Sequence, residues 1–188
     1  MCASKNTERA QPQLSLAAQA GAAALGRKTD SLITTAMDAT SSTIAHGSAG
    51  LTQAKVFSAF ETLGNNDVPD DGQRFFVVSH AAWTDLLGIT AFASADFIGS
   101  ESLPFNGMTA KRWLGFLFFT FSGLDVASNI RKCFAYHTTS MGHGIGKDVS
   151  QDITWDGRKQ AHLVVNKMSQ GSALVDANGI IEVSISEA

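Results

Sequence analysis

From Trp113 to Phe119 every residue except Gly115 is a large hydrophobe. A run of this kind left in water makes an aggregation-prone patch. Arg112 to Phe121 reads as a strand, apolar on both faces over much of its length, so it belongs mid-sheet or beneath a neighbouring chain. It is far too short to cross a bilayer, which takes about 20 apolar residues as a helix. The run therefore needs strands beside it. Phe75–Val78 is β-branched and aromatic, Cys133–Tyr136 is apolar, and Ile180–Val183 follows the turn signal Asn178-Gly179.

The chain before these strands has a different period. Leu14, Ala18, Ala22, Leu25, Leu32, Ala36, Met37 and Ile44 recur mostly at intervals of three, four or seven, which is one face of a helix. Abundant alanine favours the same structure. The spacing predicts a helical strut over residues 14–45, with a soft point at Gly26 and a polar interruption at Thr40. Two helices with Asp30 as N-cap are the alternative. Gly47–Gly50 ends this part, and Thr52 can cap a second helix with Val56, Phe57, Phe60 and Leu63 on its face. Gly64–Gly72 is a loop by composition. Ser79 caps a short helix carrying Trp83, Leu86 and Leu87, and residues 89–111 read as irregular. After Arg112 strands dominate. Ala161–Val175 is ambiguous between extended structure and a helix across Val164–Met168. The order is that of an α+β protein.

No cluster assembles into a reaction centre. His137 and His143 are six apart, which matches neither a helix turn nor a finger pair of zinc ligands. Gly142–Lys147 is followed by Asp148, where a phosphate loop needs Ser or Thr, and an anion there repels phosphate. Ser79-His80 follows a strand but lacks the flanking glycines of a nucleophile elbow. Cys133 lies in an apolar strand, where a thiol behaves as a small hydrophobe, and Cys2 is on a loose end. Two cysteines make no disulfide framework, which fits a reducing compartment. No cofactor and no metal is expected. With a net charge of −3 the chain has no global electrostatic case for gripping nucleic acid. Twelve Phe against one Tyr point to dry packing rather than a polar pocket. The alternative reading is a small α+β hydrolase or ligand-binding domain using the His137/His143 region.

The order of these segments resembles the major capsid proteins of tailed bacteriophages, the Hong Kong 97-type fold. The segments that carry it are Leu25–Asp30 with Leu32-Ile33, Gly47–Thr52, Phe76–Ser79, Trp83, Leu86-Leu87, Ser94–Phe97, Leu103-Pro104, Gly107, Trp113–Gly115, and most of 132–184. The resemblance implies a long spine helix, a peripheral sheet and an axial α/β subdomain. Residues 14–46 and 148–188 would be peripheral and 47–147 axial, with 1–13 disordered. It implies a structural protein rather than an enzyme, self-associating into pentamers, hexamers and a shell. Scaffolding and portal proteins and non-specifically contacted DNA would be its partners, with no membrane. Its place would be the virion, after assembly in the host cytoplasm. A cellular compartment shell of the same fold is the nearest relative reading. Members carry an N-terminal arm and extended loop before the spine helix, whereas only the polar Met1–Gln13 stands there in this chain. The resemblance therefore implies a chain that folds alone without giving uniform closed shells. Candidate contact residues are Trp83, Trp113 and Phe118 as apolar anchors. Arg112, beside Lys111, would meet Asp70 and Asp71 of another subunit.

Overall fold

The computed structural model describes the backbone of residues 3–93 and 110–187, with side chains from 15 to 93 and from 111 to 187. Ser94–Phe97, Leu103-Pro104, Gly107 and Cys2 lie outside the described residues. Two compact units form, one from 1–33 and 143–172, the other from 34–142 and 173–188. This division differs from the expected one, because the C-terminal segment joins the unit that holds the central strands.

In the first unit the helix α1 (Ala3–Met37, 35 residues, its last four belonging to the second unit) runs unbroken through Gly26 and Asp30. It begins well before Leu14. The residues before Leu14 carry no apolar stripe, but Ala, Lys, Glu, Arg and Gln are good helix formers. It also stops short of Thr40 and Ile44. Its covered side is Ala18, Gly21, Leu25, Thr29 and Leu32, an i, i+3, i+4 stripe. Ala22 is exposed and Gly21 takes its place. There a Cβ would stand 1.9 Å from the Asn166 amide, so any larger residue would have to push that side chain aside. Strands β7 (Met141–Asp156) and β8 (Ala161–Leu174) pair as a two-stranded sheet. The ambiguous 161–175 segment is therefore extended. Thr29 donates to the Gln170 side chain (2.7 Å) and lies beside Met168, so α1 rests on β8.

The second unit is built around a seven-stranded mixed sheet. Its strands are β1 (Thr43–Ile44), β2 (Arg74–Val78), β3 (Ala110–Trp113), β4 (Phe116–Thr120), β5 (Val126–Ala127), β6 (Ile130–His137) and β9 (Ile180–Ser186). The order is β1-β9-β6-β2-β4-β3, with β5 on β6. The apolar run from Trp113 is not one strand. It folds into the β3–β4 hairpin, with Trp113 opposite Phe116 and Lys111 opposite Phe118. β4 then lies between β3 and β2, as its two apolar faces require. Phe76 and Phe118 stack 4.9 Å apart at 13°.

The helices α2 (Gln53–Asn65), α3 (His80–Leu87) and α4 (Thr90–Ala93) supply the aromatic cover. Of the residues expected to be irregular, 90–93 form a helical turn and 110–111 begin a strand. Phe92 meets Phe118 edge-on at 5.6 Å and Phe60 meets Phe116 at 6.4 Å. The buried face of α2 is Lys55, Val56, Ala59 and Leu63. Phe57 and Phe60, expected on the buried face, flank it half-exposed, and Ala59 is buried instead. Thr52 stands at the N-cap without a capping bond, whereas Ser79 Oγ accepts from the Ala82 N–H (3.1 Å).

Phe118 is wholly buried within its own chain, so it is a core residue and not a contact between chains. Phe118→Ala removes a ring clasped by Phe76, Phe92 and Phe116, and should lower stability by about 3–5 kcal/mol. A denaturant midpoint within error of the parent would refute that placement.

Candidate assembly site

β3 and β4 are joined by only two residues, Leu114 and Gly115, with φ of 50° and 76°. This mirror-image turn matches the twist of its strands. Glycine adopts it freely, whereas leucine does so at about 1–2 kcal/mol. A Cβ on Gly115 would stand 2.8 Å from the Asp70 carboxylate, so the Val68–Gly72 loop packs against this turn. Arg112 is exposed, and its Nη1 donates to the Gly72 carbonyl (3.2 Å). Trp113 is half-buried, with ring centroids at 6.1 Å to Phe57 and 5.5 Å to Phe92. Trp83 also meets Phe92, edge-on at 5.7 Å.

The structure thus gathers Asp70, Arg112 and Trp113 at one corner and links Trp83 to it through Phe92. Asp70 and Asp71 are exposed. Among the described residues no ion pair joins Arg112 to either. Asp71 instead holds the His137 ring (3.1 Å to Nε2), and that hydrogen bond, with one from the Gln73 N–H, keeps its carboxyl below the ordinary range. Lys111 is not available to a neighbour. It is fully buried, donates to the Phe92 carbonyl and lies 4.0 Å over the Phe92 ring. Burial lowers its pKa.

The residues of the catalytic alternative are occupied structurally. His137 is buried at the end of β6, where it caps a 3-10 turn over Thr138–Ser140. His143 is exposed on β7, bound to Ser172 Oγ (2.7 Å). The two histidines fall in different units. Cys133 is buried, and burial pushes its thiol up to about 12, the opposite of an activated nucleophile. Ser79, His80, Ser122, Arg131 and Glu187 line a cavity of about 260 Å³. Within it Ser79 Oγ donates to Glu187 (2.5 Å), which also pairs with Arg131 (2.8 Å). Ser79 is thus held by a helix cap and a carboxylate, with no histidine on its oxygen.

Two features escape sequence reasoning. Phe75, Tyr136 and Phe119 form a half-exposed aromatic row on the sheet, with Phe75 stacked on Tyr136 at 5.7 Å. Lys55, nearly buried, donates to the carbonyls of His46, Ala49 and Gly50 (each 2.8 Å) and of Ser184 (3.3 Å). The ammonium thus holds the turn before α2 against β9.

A family model described as phage capsid protein matches residues 7–187. The chain belongs to the phage capsid protein family. No curated protein matches it. Among solved structures it is similar to a chain of Mycobacterium phage Che8, at 21% identity and a TM-score of 0.73 over 88% of this chain and 61% of that one. A chain from the capsid structure of cyanophage P-SCSP1u is 15% identical, with a TM-score of 0.59 over 85% of this chain and 61% of that one. One from the capsid of an empty GTA particle is 16% identical, with a TM-score of 0.57 over 77% and 50%. The α+β architecture of this capsid-family chain is the Hong Kong 97-type fold. The chain spans less than two thirds of the length of these structures.

The geometry makes two stability predictions for this capsid-family chain. Leu114→Asn gives the turn its preferred Asn-Gly pair and should raise stability by about 1 kcal/mol. An unchanged or lower melting temperature would show that the leucine is not strained. For Glu187, burial raises the carboxyl, but the Ser79 hydroxyl and Arg131 guanidinium outweigh it and the carboxyl ionises below the ordinary range. Its contribution is therefore complete above the unfolded value of about 4.3 and is lost as pH falls through the lower folded value. Glu187→Gln should flatten the fall in stability below about pH 4.3 relative to the parent. Parallel pH profiles for the two proteins would count against this.

Proposed function

We propose that this chain is a structural subunit of a phage capsid that self-associates into pentameric and hexameric rings and so into a shell enclosing DNA. The family match over residues 7–187, on a fold shared with capsid chains, carries this reading. It needs surfaces and edges rather than a reaction centre. A shell uses one chain many times in near-equivalent positions, so the contacts that make its rings must be heterologous and must close. The corner of Trp83, Trp113, Arg112, Asp70 and Asp71 is the proposed contact. Its half-buried indoles have the character of interface anchors. Its exposed charges of both signs would set register more than affinity. Scaffolding and portal proteins would meet the same subunit during assembly in the host cytoplasm, and packaged DNA would be touched without reading its sequence. A net charge of −3 fits a wall that does not grip its contents.

Sedimentation velocity over a concentration series, with negative-stain microscopy of the same samples, tests this reading. Mass should rise with concentration, and added salt should weaken the association. Arg112→Glu should weaken it about two- to fivefold per contact, the range of an exposed ion pair. A single species of monomer mass at every concentration would overturn the proposal.

A further inference from the structure

Within the first unit, the described side chains of α1 lie on β8. Asn166, Met168 and Gln170 of β8 are half-buried beside α1. β7 residues at odd positions share that face, because Trp155 packs on His162 (5.0 Å) and His143 bonds to Ser172. Yet Ile145, Val149, Ile153 and Trp155 on this face are 59%, 37%, 46% and 59% exposed. Four apolar side chains thus line one face of a strand that has a single paired neighbour among the described residues. An open edge with an apolar face is a template for another strand.

We infer that β7 is the seat of a second copy's β7, paired antiparallel about a twofold axis through Val149. This rests on the self-association proposed above and names the surface it would use. The strand's own sequence fixes the register. Centred on Val149, the pairing sets Val149 against itself, Ile145 against Ile153 and His143 against Trp155. Lys147 then faces Gln151, Asp148 faces Ser150 and Asp152 faces Gly146, so no like charges are opposed. A slip of one residue would set the apolar face of one copy beside the polar face of the other. The nearest registers that keep the faces together are centred on Asp148 or Ser150. They set Asp148 against itself, or Asp148 against Asp152.

The geometry also covers the strip. With strands about 4.8 Å apart, the two β8 strands of the four-stranded sheet stand about 14 Å apart. The α1 helix over each, about 10–12 Å wide with its side chains, then flanks the joined strips on both sides. The strip of one copy offers on the order of 400 Å² of apolar surface, about half of the roughly 800 Å² per partner in a standard stable interface. The contact alone is therefore weak, which suits one of several shared contacts. Pairing has a local cost, because the Val149 N–H donates to Asp148 Oδ1 (2.7 Å) and that carboxylate must swing aside.

Cysteine cross-linking on the full chain carrying Cys2→Ser tests the register, since Cys133 is buried and its thiol unreactive. Opposed residues of an antiparallel pair have Cα atoms about 4.5–5.5 Å apart, within disulfide range. With oxidised glutathione as the oxidant, Val149→Cys should link to itself as a disulfide dimer. Ile145→Cys and Ile153→Cys should each stay unlinked alone and link when mixed. Ile153→Asp, which sets a charge against Ile145, should weaken association at least about tenfold. If Val149→Cys stays unlinked while the same sample associates by light scattering, the β7 seat is wrong and the capsid reading stands. If the parent chain does not associate at any concentration, both fall.

Discussion

The second unit depends on the pairing of β6 with β9, which is matched from Tyr136↔Ile180 to Ile130↔Ser186. β9 lies between β1 and β6, and Ile180, Ile181, Val183 and Ile185 are buried. A strand covered on both faces has no water for its backbone, so each group must find a partner in the protein. Nearly every neighbouring segment supplies one. Thr40 donates to the Ile180 carbonyl (2.8 Å) just beyond α1. Lys55 reaches the Ser184 carbonyl, and the Asn66 side chain donates to Asn178 (2.9 Å) ahead of the strand. Lys132 lies 3.5 Å from Glu182 and also pairs with Asp38. The end of the chain therefore fastens the end of the long helix, the turn before α2 and the first turn of α3.

Such anchoring is poorly legible in a sequence, and the reason is distance along the chain. Thr40 reads as a flaw in a helical stripe. It is instead the first residue past the helix that bonds to a strand 140 positions later. Lys55 carries no mark in the sequence, and only the folded turn brings three carbonyls to its ammonium. Hydrogen bonds to a charged group contribute about 1.5–3 kcal/mol, against a desolvation cost that lowers the lysine pKa. Local periodicity carries no trace of that balance. Lys111 is a similar case, since its pairing with Arg112 in sequence conceals that one lies in the core and the other in solvent.

What periodicity does carry is legible. The stripe Ala18–Leu25–Leu32 is the covered side of α1, and Phe116–Thr120 of the apolar run lies mid-sheet. The errors lie where backbone conformation departs from the pattern. Leu114-Gly115 divides one expected strand into two, because a positive φ at leucine is not encoded by hydrophobicity. The buried face of α2 runs through Lys55, Val56, Ala59 and Leu63, with Phe57 and Phe60 at its margin. The candidate contact residues divide in the same way. Trp113 and Arg112 stand where a neighbour can reach them, whereas Phe118, five residues beyond Trp113 and part of the same run, does not.

The two units use their apolar residues differently. The second closes an aromatic layer of Phe76, Phe92, Phe116 and Phe118 within one chain, and its dryness is complete without a partner. The first has a two-stranded sheet, the kind of element that is marginal alone in water, and one helix to cover it. That helix rests on β8 at Gly21 and Thr29, while Ile145, Val149, Ile153 and Trp155 of β7 stay exposed. Strand propensity in Ile145, Val149, Ile153 and Trp155 is therefore retained without the burial that usually accompanies it. A monomer that had only to remain soluble would do better with polar residues at those positions. Their exposure makes sense if the first unit is stabilised by contact with other copies while the second folds on its own. Folding of the core and association at the edge are then separate steps, so weak contacts can form and break without unfolding the subunit.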